Sequence, residues 1–78
     1  MKNITEKQGL EIAENLAEYN QRGRLLVAEA NIGGYLVERG LRLEGLNAYE
    51  SASSIFEALK KSPGSCEYEP GRLHLNAR

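Results

Sequence analysis

Arg24-Leu-Leu-Val-Ala-Glu-Ala-Asn-Ile32, then Gly33-Gly34, then Tyr35-Leu-Val-Glu-Arg39, is the stretch on which the fold turns. Two β-like runs flank a glycine pair, and a two-residue hairpin loop of the favoured twist needs the positive φ that glycine adopts without strain. The stretch predicts a β-hairpin. A two-residue loop pairs Ile32 with Tyr35, Ala30 with Val37, Ala28 with Arg39 and Leu26 with Leu41. Strand alternation then sets Leu26, Ala28, Ala30, Ile32, Tyr35, Val37 and Leu41 on one face. Leu25, Val27, Glu29, Leu36, Glu38, Arg42 and Glu44 fall on the other. Gly40 marks a bulge or bend. The competing reading is a helix through 34–45, which Gly40 and Gly45 weaken.

On the amino-terminal side, Thr5-Glu6-Lys7-Gln8 reads as a capping box, with Leu10, Ala13, Leu16 and Ala17 following at helical spacing. Gly23 supplies a stop, so a first helix is expected over about 5–21. On the carboxyl side, Asn47-Ala-Tyr-Glu50 is a second capping box. It opens a stripe of Ala48, Tyr49, Ala52, Ile55, Phe56 and Leu59 that ends at Ser62-Pro63-Gly64, so a second helix is expected over about 48–61. The tail from Cys66 to Asn76 predicts another hairpin around Pro70-Gly71. Pairing Glu69 with Arg72 sets Tyr68 opposite Leu73, Glu67 opposite His74 and Cys66 opposite Leu75.

The expected order is helix-hairpin-helix-hairpin, or αββαββ, in a two-layer α+β sandwich. Joined head to tail, that order is a circular permutation of the ferredoxin-like βαββαβ arrangement. Two plain helix-hairpin units side by side are the alternative.

Length and composition bound the function. Seventy-eight residues allow one small domain over 1–78, with a thin core. Ten Lys and Arg stand against eleven Glu with no Asp, and that balance argues against attachment to DNA or an anionic membrane by bulk charge. A single Cys excludes a disulfide framework within the chain and any multi-cysteine zinc site. Apolar runs are too short for a membrane span, and the expected compartment is the reducing cytoplasm.

No catalytic constellation is legible. Cys66 and His74 fall on opposite faces of the predicted tail hairpin, which prevents a nucleophile–base pair. Cys66 reads as a small apolar residue, and His74 as the solvent-face partner of Glu67. Glu11, Glu14 and Glu18 share one side of the first predicted helix, where a solvated face outweighs a metal site. The glycine pairs lack the strand-loop-helix order of a phosphate loop. No cofactor and no metal are expected.

Two surfaces remain. Leu25, Val27 and Leu36 share the predicted helix-free face of the first hairpin, rimmed by Glu29, Glu38 and Arg42, and form a candidate self-association patch. Arg22, Arg24, Arg39 and Arg42 gather near the open end of that hairpin as candidate nucleic-acid contacts, with Lys60, Lys61 and Arg72 as a second small cluster. The sequence thus predicts a small non-catalytic binding protein acting as a homodimer, a description that fits an accessory protein of a mobile element or phage. A nucleic-acid-binding regulator using the arginines is the first alternative. A small-ligand pocket between helices and sheet, lined by Tyr19, Tyr35, Tyr49 or Tyr68, is the second. An enzyme is the least supported reading.

Overall fold

Both predicted capping boxes are present in the computed structural model, which describes residues 2–75. The Gln8 N–H donates to the Thr5 hydroxyl at 3.1 Å and the Thr5 N–H donates to the Gln8 side chain at 2.9 Å, opening helix α1 (Glu6–Leu16). The same reciprocal pair joins Asn47 and Glu50, at 2.8 and 3.0 Å, at the start of α3 (Ala48–Lys60). Each box satisfies two backbone donors that the helix itself leaves unpaired.

α1 is shorter than the capping and stop signals suggest. Ala17 is extended, and the chain enters strand β2 (Glu18–Tyr19), which pairs antiparallel with β3 (Leu25–Ala28). Between them the Asn20 side-chain oxygen accepts from the N–H groups of Arg22 and Arg24, both at 2.9 Å, while Gly23 takes φ 75°. Gly23 therefore turns a hairpin rather than ending a helix.

The central stretch is the main correction. β3 ends at Ala28, and residues Glu29–Arg39 form helix α2 with Gly33 and Gly34 at its middle. No hairpin forms around the glycine pair. Ile32 and Leu36 sit one turn apart on the same side and are fully buried. Each glycine costs a helix interior about 1 kcal/mol relative to alanine. Each buried aliphatic side chain contributes roughly 1.5–3 kcal/mol, so packing outweighs propensity. Gly40, at φ 65°, closes α2 with its N–H on the carbonyls of Leu36 and Val37.

Released from the expected hairpin, the two flanking segments find other partners. β4 (Leu41–Leu43) pairs in parallel with β1 (Lys2–Ile4) as a separate two-stranded sheet. β3 pairs antiparallel with β6 (Arg72–Leu75), which pairs in turn with β5 (Cys66–Glu69), so the larger sheet runs β2-β3-β6-β5. The class is α+β. The observed element order is β-α-β-β-α-β-α-β-β in place of αββαββ, and the permuted ferredoxin-like arrangement does not describe it.

α3 is the hub of the core. Its Ile55 and Phe56 lie buried with Ile32 and Leu36 of α2, and with Val27 and Leu73 of the larger sheet. The buried Ser51 fastens it to the smaller sheet, accepting from the Leu43 N–H at 2.8 Å and donating to the Asn47 carbonyl at 2.7 Å.

The tail hairpin forms over 66–75, and the expected continuation to Asn76 lies outside the described residues. Glu69 pairs with Arg72 as expected, but a bulge follows, so Glu67 faces Leu73 and Cys66 faces His74. The expected partners Tyr68–Leu73, Glu67–His74 and Cys66–Leu75 are displaced by that one irregularity.

Three substitutions test this packing. Phe56→Ala should cost about 3–5 kcal/mol in urea unfolding, enough to leave so small a domain largely unfolded. Gly34→Ala should stabilise by about 1 kcal/mol, because a methyl there meets nothing within 4 Å and the residue is helical. Gly9→Ala should destabilise instead, since its Cβ would stand 2.6 Å from Cδ1 of the buried Ile55. A hairpin turn at Gly34 would reverse the sign of the second result.

Candidate functional site

Strand alternation sorts the larger sheet into two faces. Val27 and Leu73 are a cross-strand pair, 2% and 0% exposed, and they mark the face covered by the helices. The opposite face carries a row that crosses all four strands: Glu18 pairs with Leu26, Leu26 with His74, and His74 with Cys66. A second row holds Ala28, Arg72 and Glu69. The helices pack against the other side and reach this one only at its edge, where Leu16 of α1 and Asn31 of α2 border a groove.

The bulge gives the face its most specific feature. Tyr68 is the extra residue between Glu67 and Glu69, and its ring lies on that of His74 with centroids 4.2 Å apart and planes 33° apart. Offset, tilted aromatic pairs of this kind are favoured by the ring quadrupoles. Tyr68 remains 42% exposed despite this contact. The His74 Nδ1 is shut off from solvent and has no hydrogen-bond partner among the described residues. Beside the pair runs an open groove of about 210 Å³, bordered by Glu18, Asn20, Leu26, Ala28, Asn31, Tyr68 and Arg72. Arg72 Nε is bonded to the Glu69 carboxylate at 3.1 Å, which holds its guanidinium beside the groove.

Of the four tyrosines expected in a pocket between helices and sheet, Tyr19 and Tyr68 border this groove, which lies on the outer face of the sheet and not between the layers. The other two lie elsewhere. Tyr35, half-buried on α2, carries the Arg39 guanidinium 5.0 Å above its ring centre. Tyr49 is 70% exposed on the first turn of α3, near Gly33.

The predicted self-association patch does not exist as a surface. Val27 is 2% exposed and Leu36 fully buried, and only Leu25 stays partly open, at a groove shared with Tyr19, Leu59 and Leu75. The cause is a misplaced partner. Leu25 and Val27 face the helices because β3 pairs with β6, and Leu36 belongs to a helix whose phase is unrelated to theirs. The sheet edges are β2, of two residues, and the bulged β5, which itself carries Glu67 and Glu69.

The arginines divide into two pairs. Arg22 and Arg24 are exposed in the β2–β3 turn of the larger sheet. Arg39 ends α2, and Arg42 on β4 donates from Nε to Asn3 Oδ1 at 3.1 Å in the smaller sheet. They form no single cluster. Lys60 is engaged with Glu57 at 3.1 Å and Glu67 at 3.5 Å, and chiefly the Glu57 hydrogen bond raises its pKa above the ordinary 10.5. Lys61 and Arg72 are exposed.

Cys66 and His74 share a face, contrary to the expectation from an unbulged register. The Cys66 thiol turns to the Glu67 carbonyl at 3.8 Å, and the buried Nδ1 of His74 has no described group to orient the ring. Glu18 lies on β2 and not beside Glu11 and Glu14 on a helix, and the described residues hold no group of three or more potential metal ligands. No helix among them is long and apolar enough to cross a membrane.

α2 and α3 are joined by residues 40–47, which carry β4, where a DNA-reading helix-turn-helix uses a turn of roughly 3–4 residues. The outer side of α3 presents Glu50 and Glu57, both unfavourable beside phosphate. Compared with known protein families, curated proteins and solved structures, the chain matches none.

Charged substitutions separate core from surface. Val27→Glu and Leu36→Glu should each abolish folding by circular dichroism, since a charge buried without a partner costs several kcal/mol. Leu25→Glu should leave the helices folded. Folded Val27→Glu or Leu36→Glu protein would mean that the helix-facing side of the sheet has been misassigned.

Proposed function

We propose that the chain is a small non-catalytic binding module whose contact surface is the helix-free face of the sheet β2-β3-β6-β5. The observation that carries this reading is the Tyr68–His74 ring pair, raised by the bulge and standing beside an open groove. The composition of the groove supports it. Leu26 and Ala28 give an apolar floor, Asn20 and Asn31 bring side-chain amides, and Arg72 brings a positioned guanidinium. An apolar bed with a few convergent polar groups suits a planar ligand group with polar edges. A strand face spent only on solvation has no need of a bulge that stacks two rings.

Backbone amide shift mapping with indole, a planar probe with one donor, tests the reading. Indole should perturb Leu26, Ala28, Tyr68 and His74 before other residues. Tyr68→Ala should weaken its binding about twofold to tenfold, the range expected for loss of one aromatic contact. Shifts confined to the groove of Leu25, Leu59 and Leu75, or scattered over the surface, would sink it.

A further inference from the structure

We infer that the ligand of this face is single-stranded nucleic acid, with a base stacked on Tyr68 and backbone phosphates held by Arg24 and Arg22. The inference rests on the reading of the helix-free face as the binding surface. An exposed ring accepts any base by stacking, and sheet faces that bind single strands combine such rings with basic groups along the backbone path.

The cations are where that path requires them. β3 is antiparallel to β2 in a register that continues from Glu18–Leu26 and Tyr19–Leu25 to a hydrogen bond from the Asn20 N–H to the Arg24 carbonyl at 2.8 Å. Arg24 therefore follows the alternation of Leu26 and Ala28 toward the helix-free side. It lies two residues from Leu26, whose partner is His74, or about 7 Å along the strand from the stacked rings. The turn that carries Arg22 and Arg24 is held by the Asn20 oxygen, which both their N–H groups share. That oxygen is thereby occupied, and the Asn20 amide nitrogen is left to donate to a base edge.

Charge supports the same occupant over an acidic or an apolar one. Arg24 and Arg72 lie on this side with Glu18 and Glu69, Arg72 already neutralises Glu69, and Arg22 adds an exposed cation in the adjoining turn. The excess lies at the turn. Glu18, beside Leu26, leaves the middle of the face to the bases. A duplex keeps its bases stacked inside, so it offers nothing to Tyr68. With about two phosphates contacted, the affinity should fall with salt at a slope near −1.4, far shallower than for a charge-driven binder.

The test is fluorescence anisotropy of a labelled twelve-nucleotide oligouridylate at low and rising salt, with a duplex of equal length as comparison and shift mapping on the unsubstituted protein. The single strand should bind more tightly than the duplex, with the shallow slope, and should shift Tyr68, His74 and Leu26. Tyr68→Leu should weaken binding roughly 5- to 150-fold, the range for one stacked base, while Tyr68→Phe keeps it and Lys7→Gln, exposed in the first turn of α1, leaves it unchanged. Arg24→Glu should weaken binding and flatten the salt slope. If Tyr68→Leu does not fold, the wild-type shift map and Tyr68→Phe decide. Equal binding of the duplex, or a Tyr68→Leu protein that binds unchanged, would overturn the inference. No oligonucleotide binding at low salt, with indole still mapping to the face, would remove nucleic acid and leave the binding surface standing. Failure of both probes would remove both.

Discussion

Ile32 and Leu36, one turn apart on α2 and fully buried with Ile55 and Phe56 of α3, are the contact on which the remaining structure depends. Their burial commits residues 29–39 to a helix through two adjacent glycines. Once that segment is helical, β3 keeps β2 on one edge and takes a distant strand on the other in place of the segment that follows it. β6 is that strand, and its Leu73 closes over Val27 to seal the sheet side of the core. β4, left beyond Gly40, is held separately by β1 and by the Ser51 hydroxyl. The topology follows from one helix–helix contact.

What was legible in the sequence was local. Thr5 with Gln8, Asn47 with Glu50, and Pro70-Gly71 act within three or four residues, and each operates where its pattern places it. The extent of α3 follows from a stripe that needs no knowledge of its partner. The glycine pair misleads because two periods coexist in 25–39. Leu26, Ala28, Ala30 and Ile32 alternate as a strand would, while Ile32 and Leu36 recur as a helix would. Gly40 was the available signal: it sits one residue past the last helical position, as a helix-ending glycine does. The choice was made by α3, which is not local to the stretch.

The proposed contact face was legible in fragments. Tyr19 and Tyr68 were both named among cleft-lining tyrosines, and Arg22 and Arg24 among nucleic-acid contacts, and these four lie on or beside the larger sheet. Nothing in the sequence joins them, because they meet through the β3–β6 pairing. The bulge is equally hidden. An unbulged tail hairpin keeps its apolar residues together and its charges together, so pattern alone prefers it. The native register breaks that order and stacks Tyr68 on His74 in its stead. His74, read as a partner of Glu67, becomes the centre of the face.

The β3–β6 ladder also bears on how the chain reaches this state. Val27 and Leu73 are joined across two intervening helices and two strands, so closing that loop carries a large entropic cost before any pairing rewards it. α2 and α3 are neighbours in the chain and can meet first. The face formed by Leu26, His74 and Tyr68 is then assembled at the last stage of folding and lost at the first stage of opening. Amide exchange at β3 and β6 would run ahead of exchange in α3, and a ligand seated on that face would slow it selectively.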